Sequence, residues 1–140
     1  MVRLQLRKKF TFEAAHQLPY HQGKCAREHG HSYGLMVTIE GELKSGQGFS
    51  DAGMILDFSR VSLLVKEHII DKVDHYRLND ITLGSGITLP NPTAEHLILA
   101  IAKVLGLLFF AEGVYLHSLE LWETENSSVK WEADQTGWPT

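Results

Sequence analysis

Ten residues of the sequence, CAREHGHSYG at positions 25–34, contain the only cysteine of the chain and two histidines in an H-x-H arrangement. In an extended strand His29 and His31 point to the same face, about 7 Å apart at their Cα atoms, because the side-chain period of a strand is two. Two imidazoles placed in this way can bind one metal ion. His16 lies just past a predicted first strand, and antiparallel pairing with the next strand would bring it to the same place. The spacing therefore predicts a metal site formed by His16, His29 and His31.

Cys25 allows three interpretations, which its spacing alone does not separate. As a fourth metal ligand it would close the site and make the protein a zinc-stabilised fold or interaction module. Standing free beside the metal, it would be a candidate base or nucleophile, with the metal and the neighbouring Lys24 and Arg27 favouring the thiolate. The third interpretation is a buried, unreactive thiol.

An acid–base pair is a further candidate, because Asp74 directly precedes His75 where the first helix is expected to end. Adjacent residues on a helix diverge, so the two can act together only if the helix has ended there. With Cys25 they would supply a thiol, an imidazole and an orienting carboxylate, a set used in proton transfer and in nucleophilic catalysis. Alternatively, both are solvated polar residues that cap the end of the helix.

Glu123 shares strand parity with Leu119 and Leu121, which places a carboxylate on an apolar, inward face. Buried carboxylates are rare unless they are paired. A planar ligand edge that offers two N–H donors would pair with it in a bidentate way. The alternative is a glutamate at the end of a strand, exposed to water.

Hydrophobic patterning predicts the elements that must position these side chains. Alternation of apolar and polar residues predicts a strand over residues 2–12, and a high content of β-branched and aromatic residues predicts a second over 31–43. Residues 114–124 are again typical of an extended chain, and after the turn ENSS a short strand over 129–132 can pair back in a hairpin. Helical spacing predicts a first helix over the apolar positions 61–73, capped by Asp57 or Ser59. Asn91 followed by Pro92 is typical of the cap and first turn of a second helix, which carries a long apolar stripe.

The element order, β-β-α-α-β-β, predicts one α+β domain over residues 1–140, in which two helices cover one face of an antiparallel four-stranded sheet. So small a sheet has two unpaired edges. Joining sheets between subunits is one way to remove these edges, which favours a homo-oligomer.

Composition narrows the classes of function. A formal net charge of -4 gives no basic field, which argues against nucleic acid as the partner. The longest apolar run, residues 104–111, is interrupted by Gly106 and is too short to span a membrane. A single cysteine and the lack of a long apolar core near the N-terminus lead us to expect a cytoplasmic protein.

Six segments, in order between residues 10 and 124, together resemble one protein family. They are FTFEAAH, KCAREHGHSYG, GMILDFSRV, VDHYRLND, NPTAEH and LELWET. They resemble the signature segments of the 6-pyruvoyl-tetrahydropterin synthase and 6-carboxy-tetrahydropterin synthase family. The resemblance implies the tunnelling fold, in which subunits join their sheets into a barrel, usually as a trimer or as a hexamer of two trimers.

The resemblance also implies roles for individual residues. The three histidines would bind zinc, and the pterin pocket would lie between subunits. Cys25 falls on the family's catalytic cysteine, and Asp74 with His75 falls on its catalytic Asp–His pair. Three further positions match residues that contact the pterin: Glu123, which anchors its amino-pyrimidine edge, and Thr93 and Glu95, which line its pocket.

The spacing of the cysteine distinguishes branches of this family. The compact C-x-x-x-H-x-H from Cys25 to His31 resembles the bacterial branch that makes 6-carboxy-tetrahydropterin for queuosine and other deazapurines, whereas the cysteine of the pyruvoyl branch typically lies further from the H-x-H pair. The bacterial branch converts 7,8-dihydroneopterin triphosphate and releases acetaldehyde and triphosphate, for which Lys24 and Arg27 are the nearest cations. A third branch carries a glutamate in place of the cysteine; Glu28 could fill that role, but the intact Cys25 argues against it.

Two features depart from the family's usual pattern. The turn KSGQGFSDAG, residues 44–53, is longer than usual, and Tyr76 follows His75 where the bacterial branch often has a second histidine. Two alternatives from other classes also stand beside the lyase: a closed Cys–His zinc module, and a cysteine hydrolase in which Cys25 would form an acyl intermediate.

Overall fold

Two long strands form the centre of the computed structural model, which describes residues 2–46, 48 and 50–134. β1 (Arg3–His16) and β2 (His29–Glu42) pair antiparallel along their whole length, with His16 opposite His29. Buried and exposed residues alternate along the second half of β1, as the period of a strand requires. β1 runs beyond the predicted end of the first strand, so His16 is its last residue and lies opposite the first residue of β2.

Parts of two predictions lie outside the described residues. Gln47 and Phe49 belong to the predicted long turn, and residues 1 and 135–140 belong to the predicted domain. Within the described part of the turn, Lys44 Nζ donates to Asp51 Oδ2 at 2.7 Å, which ties the segment after β2 to the segment before the first helix.

The first helix is capped by Asp57, whose carboxylate accepts a hydrogen bond from the backbone N–H of Ser59 at 2.8 Å. Of the two predicted caps, Asp57 is therefore the one used. The helix α1 (Phe58–Val65) continues through a π turn (Lys66–Ile70) into α2 (Asp71–Val73). The helical segment ends directly before the Asp–His pair, as the sequence predicted.

Hydrophobic spacing accounts for the π turn. Four buried residues of this segment recur every four positions, which exceeds the about 3.6 residues per turn of an α-helix; they are Val61, Val65, Ile69 and Val73, and Leu64 is buried beside them. A π turn, with its i to i+5 hydrogen bonds, takes up the extra rotation and keeps all four side chains in the core.

Three two-residue strands follow, which the sequence did not predict because two residues are too few to show a period. β3 (Tyr76–Arg77) pairs parallel with the end of β1. β4 (Thr82–Leu83) and β5 (Ile87–Thr88) form a separate hairpin. β3 matters for the site because it carries the residues after His75 to the same end of the sheet as His16.

The second helix begins later than predicted. α3 (Ala94–Ala111) is capped by Thr93, whose Oγ1 accepts a hydrogen bond from the backbone N–H of His96 at 3.1 Å. The prediction of Asn91 as the cap and Pro92 as the first helical residue is wrong. Pro92 stays outside the helix because its carbonyl oxygen, 2.9 Å from His16 Nδ1, bonds to that histidine and does not accept a helical hydrogen bond.

Thr93→Ala is expected to lower the free energy of unfolding by about 1 kcal/mol, because it leaves an N–H of the first helical turn without its partner. Urea denaturation of the metal-free protein would measure this loss. Asn91→Ala is the matched control and should change the free energy of unfolding by less than about 0.5 kcal/mol. A larger loss at Asn91 than at Thr93 would contradict the assignment of the cap.

Two further strands complete the sheet. β6 (Tyr115–Thr124) pairs antiparallel with β2, and β7 (Ser127–Glu132) pairs antiparallel with β6. The strand order is β3-β1-β2-β6-β7, which confirms the predicted α+β class and its four antiparallel strands, and adds β3 as a short parallel fifth strand. Over most of its length β1 is an open edge of this sheet, since β3 covers only its end.

The apolar helix α3 supplies much of the core. It is long and apolar enough to cross a membrane by length and composition alone. Half of it is buried inside the protein, however, and Leu97, Ile101 and Leu105 are among its fully buried residues. It packs against β6, as a core helix of the fold does.

Candidate functional site

The three predicted metal ligands converge at one end of the sheet. His16 Nε2 lies 2.9 Å from His29 Nε2 and 3.2 Å from His31 Nε2. The register of β1 and β2 produces this arrangement, because it sets His16 opposite His29 and leaves His31 two residues further along the same face. Possible ligand atoms of the three residues all lie within 4.8 Å of one another, so this cluster could hold a metal ion.

Hydrogen bonds on the far side of two rings show that the cluster fits a cation. His16 Nδ1 lies 2.9 Å from the Pro92 carbonyl oxygen, and His29 Nδ1 lies 2.7 Å from the Arg27 carbonyl oxygen. A carbonyl oxygen only accepts, so in each neutral ring the proton is on Nδ1 and Nε2 presents a lone pair. Two lone pairs 2.9 Å apart cannot bond to each other, and a cation between them removes the repulsion.

The spacing of the nitrogens agrees with a tetrahedral ion. Zinc–nitrogen bonds of about 2.0–2.1 Å in tetrahedral geometry separate neighbouring ligand atoms by about 3.3 Å. The two separations from His16 Nε2 are 2.9 and 3.2 Å. Backbone carbonyls that hold the outer nitrogen of a metal-binding histidine are also a usual feature of such sites.

Glu123 lies at the edge of this cluster. Its Oε1 is 3.4 Å from His31 Nε2, and its side chain is 30% exposed. Burial lowers the pKa of His31, an effect that Glu123 opposes and the other two imidazoles reinforce. The carboxylate is therefore neither fully buried nor simply solvated: it borders the space into which the histidine nitrogens point.

Tyr33 is a site residue that the sequence reasoning missed. Its ring is 1% exposed and lies 5.6 Å from the His31 ring, with its hydroxyl 3.5 Å from His16 Nδ1. Burial, and next the Glu123 charge, raise the pKa of Tyr33, so the phenol stays protonated beneath the cluster. The signal was present in the sequence, because His29, His31 and Tyr33 share the parity of one strand face.

Cys25 lies on the loop between His16 and His29 and is not part of the histidine cluster. It occupies a single 3₁₀ turn (Lys24–Ala26), is half-buried, and accepts a backbone hydrogen bond from Leu18 N–H at 2.9 Å. Among the described residues, the group of His, Cys, Asp and Glu side chains able to hold a metal consists of the three histidines. This placement favours a site with an open coordination position over a closed Cys–His zinc module.

Asp74 and His75 form a pair that β1 holds in place. Asp74 Oδ1 lies 3.0 Å from His75 Nδ1 and accepts the backbone N–H of Glu13 at 2.9 Å. The His75 N–H in turn donates to the Glu13 carbonyl at 2.6 Å. The Glu13 hydrogen bond, and next the His75 side chain, lower the pKa of Asp74, so this carboxylate is ionised at neutral pH.

His75 has a φ of 64°, a left-handed conformation that is uncommon for a residue other than glycine. The two bonds to Glu13 hold this conformation, which turns the imidazole out of the helical path. His75 and His31 line the same cleft, of about 420 Å³, at the end of β1. The side-chain hydrogen bonds described for Asp74 and His75 go to each other and to Glu13, and the backbone hydrogen bond described for Cys25 joins it to Leu18.

Thr93 and Glu95 lie at the start of α3, next to the Pro92 carbonyl that holds His16. Thr93 caps the helix, and Glu95 is exposed in its first turn. The side chains of Lys24 and Arg27 are exposed on the loop that carries Cys25. Contact of these four residues with a substrate stays a prediction.

The protein combines a sheet packed against helices with three converging histidine nitrogens at one end of that sheet. This combination is typical of metal-binding proteins with the tunnelling fold. The sequence profile of the family described as 6-pyruvoyl tetrahydropterin synthase matches residues 5–134, and the chain belongs to this family. The resemblance of the six segments is thereby confirmed, and the chain is an enzyme of the pterin synthase type.

Individual relatives carry two different names. A protein of Synechocystis named 6-carboxy-5,6,7,8-tetrahydropterin synthase is 43% identical over 128 residues, which cover 89% of each chain. A protein of Dictyostelium discoideum named 6-pyruvoyl tetrahydrobiopterin synthase is 35% identical over 108 residues, covering 76% of this chain and 72% of that one. The structure of Caenorhabditis elegans 6-pyruvoyl tetrahydropterin synthase shows the same fold, with a TM-score of 0.67 and 21% identity over 96% of this chain and 98% of that one.

Proposed function

We propose that this enzyme is a zinc-dependent lyase that converts 7,8-dihydroneopterin triphosphate into 6-carboxy-5,6,7,8-tetrahydropterin, with release of acetaldehyde and triphosphate. The observation that carries the proposal is the convergence of three histidine nitrogens beside Glu123, with Cys25 on the loop between two of these histidines but outside the ligand group. That arrangement provides an open metal site, an anchor for a planar ligand and a separate thiol. A closed structural zinc site would not leave the thiol free.

The three histidines would hold zinc through their Nε2 atoms. When bound, the ion supplies Lewis-acid polarisation of the hydroxyl groups on the substrate's side chain. Glu123 then orients the substrate, since its two oxygens can accept two N–H bonds from the amino-pyrimidine edge of the pterin. Its position 3.4 Å from His31 fixes the distance between the pterin ring and the polarised side chain.

Proton transfer falls to Cys25 and the Asp74–His75 pair. Asp74 is ionised and bonds His75 Nδ1, so His75 Nε2 is the nitrogen that can take up or release a proton. Protons then move at the carbons of the side chain, triphosphate leaves with its bridging oxygen, and one water molecule supplies the second oxygen of the carboxylate. The carbon–carbon bond breaks in a retro-aldol sense, and the two carbons that leave become acetaldehyde. Lys24 and Arg27 would bind the departing triphosphate.

We further propose that the active site is completed between subunits of a homo-oligomer, a trimer or hexamer. Two observations support this. Cys25 and the Asp74–His75 pair do not meet among the described contacts of one chain, and most of β1 is an open strand edge to which another sheet can add. The proposal places one domain over residues 1–140 in a cytoplasmic enzyme that supplies queuosine or another deazapurine.

The alternative is the pyruvoyl branch, which the name of the Dictyostelium relative favours. The higher identity of the Synechocystis relative and the three-residue gap between Cys25 and His29 favour the carboxy branch.

The deciding experiment is incubation of the zinc-loaded enzyme with 7,8-dihydroneopterin triphosphate, followed by mass analysis. Acetaldehyde together with a carboxy-pterin is the expected result. A pyruvoyl product would move the enzyme to the sister branch, and no turnover would defeat both assignments. Chelator-treated enzyme is the control: activity that survives removal of the metal would favour a cysteine hydrolase.

A further inference from the structure

Arg77 binds three different partners with one guanidinium group. Its Nε lies 2.8 Å from Glu28 Oε1, its Nη1 lies 2.9 Å from Asp80 Oδ1, and its Nη2 lies 3.1 Å from Gln17 Oε1. The planar fork of an arginine can make such contacts at once, whereas a lysine ammonium is a single point charge. Two of the three partners lie at opposite ends of the loop that carries Cys25, and the third follows β3.

Gln17 links Arg77 to Ala26, the residue after Cys25. Its Oε1 accepts from Arg77, and its Nε2 donates to the Ala26 carbonyl at 2.9 Å. Its backbone is held as well, because Asn79 accepts the Gln17 N–H at 2.9 Å and donates to the Gln17 carbonyl at 2.8 Å. Both ends of the Gln17 amide are therefore used, and its orientation is fixed.

We propose that Arg77 is a positioning residue that fixes the Cys25 loop, residues 17–28, against β3 through Glu28 and through Gln17. The proposal rests on the proposed function in that it assigns Cys25 a part in proton transfer. Arg77 lines the same cleft as His75 and His31, and its guanidinium bonds go to Glu28, Asp80 and Gln17, so its proposed role is to position the loop.

The contacts of Arg77 add to other bonds of the loop, among them the two between Gln17 and Asn79 and the one from Leu18 N–H to the Cys25 carbonyl. Packing against the core contributes little to holding the loop. Lys24 and Arg27 are exposed, Cys25 and Ala26 are half-buried, and the turn contributes no buried residue to the core. Individual exposed ion pairs contribute little, but here two bonds of one group hold both flanks of the loop, and a third, to Asp80, orients that group. Loss of all three should raise the population of the open loop about threefold to tenfold.

The test is Arg77→Gln in the full-length, zinc-loaded enzyme, read out by trypsin. Lys24 and Arg27 are both trypsin sites within the loop, so the rate of cleavage after these residues, followed by mass, reports how often the loop opens. Cleavage should be about threefold to tenfold faster than in the unsubstituted enzyme. The kcat should fall at least about twofold while KM changes less, because the three bonds of Arg77 involve the Cys25 loop and Asp80 and not Glu123, the proposed pterin anchor on β6.

Arg60→Gln is the matched control, because Arg60 pairs with Glu112 and links α1 to the end of α3. This variant loses the same charge and should leave both the cleavage rate and kcat unchanged. Arg77→Lys keeps the charge without the fork and should restore only part of the protection.

A double-mutant cycle keeps the proposal testable if one variant is unstable. Arg77→Gln and Glu28→Gln should be non-additive in cleavage rate, because each removes the same ion pair. Unchanged cleavage in Arg77→Gln, or strict additivity in the cycle, would overturn the proposal that Arg77 fixes the Cys25 loop. Faster cleavage with an unchanged kcat would overturn the positioning role. If the unsubstituted enzyme shows no turnover, the proposed function fails, while the cleavage rates still decide whether Arg77 holds the loop.

Discussion

His29→Ala is expected to lower metal affinity and turnover at least about a hundredfold each, in a chain that still folds. His29 supplies one of three converging nitrogens, and the two that remain leave a divalent ion with too few protein ligands. The residue is half-buried at the start of β2, outside the main core, so its removal leaves the packing of the sheet intact. Metal per chain after dialysis, measured by atomic emission, and kcat with dihydroneopterin triphosphate would show both losses.

His117→Ala is the matched control for this experiment. His117 is a half-buried histidine of β6 whose Nδ1 contacts Ser118 Oγ at 3.1 Å, apart from the cluster. Its substitution should leave the metal content as it is in the unsubstituted enzyme. Full metal occupancy in His29→Ala, with a circular dichroism spectrum that shows a folded chain, would contradict the three-histidine site.

The parts of the fold that the sequence predicted are those in which a period extends over many residues. β1, β2 and β6 are each ten residues or longer, and their pairing buries one face of each strand. The two-residue strand β3 and the start of α3 escaped prediction for local reasons. β3 is too short to show a period. Asn91–Pro92 has the pattern of a helix start, but the Pro92 carbonyl oxygen bonds to His16 Nδ1 instead.

The candidate site, like the fold, could be predicted only in part. The period of two is enough to place His29 and His31 together, and antiparallel pairing then brings in His16. The groups that orient these rings could not be predicted, because they are the backbone carbonyls of Pro92 and Arg27, which every residue carries. Side-chain identity thus predicts which residues could bind the metal, whereas the tautomers that make them ligands depend on the path of the chain.

Cys25→Ala is expected to keep the metal and to lower kcat about a hundredfold to ten-thousandfold, the usual contribution of a positioned acid or base. The metal should stay because the thiol is not part of the ligand group. Steady-state kinetics and metal analysis of the same preparation would test both statements. Release of the metal by this variant would instead indicate a closed Cys–His site, and an unchanged kcat would remove Cys25 from the reaction.

His75→Asn is the companion variant, since asparagine tolerates the left-handed conformation found at this position and preserves the backbone while removing the imidazole. If Cys25 and His75 serve one proton-transfer sequence, each single variant should lose activity and the double variant should be little slower than the slower single one. Losses that multiply would mean that the two groups act in independent steps. Strong non-additivity would also be evidence for the oligomeric site, because residues without contact in one chain can act as a unit when a neighbouring subunit brings them together.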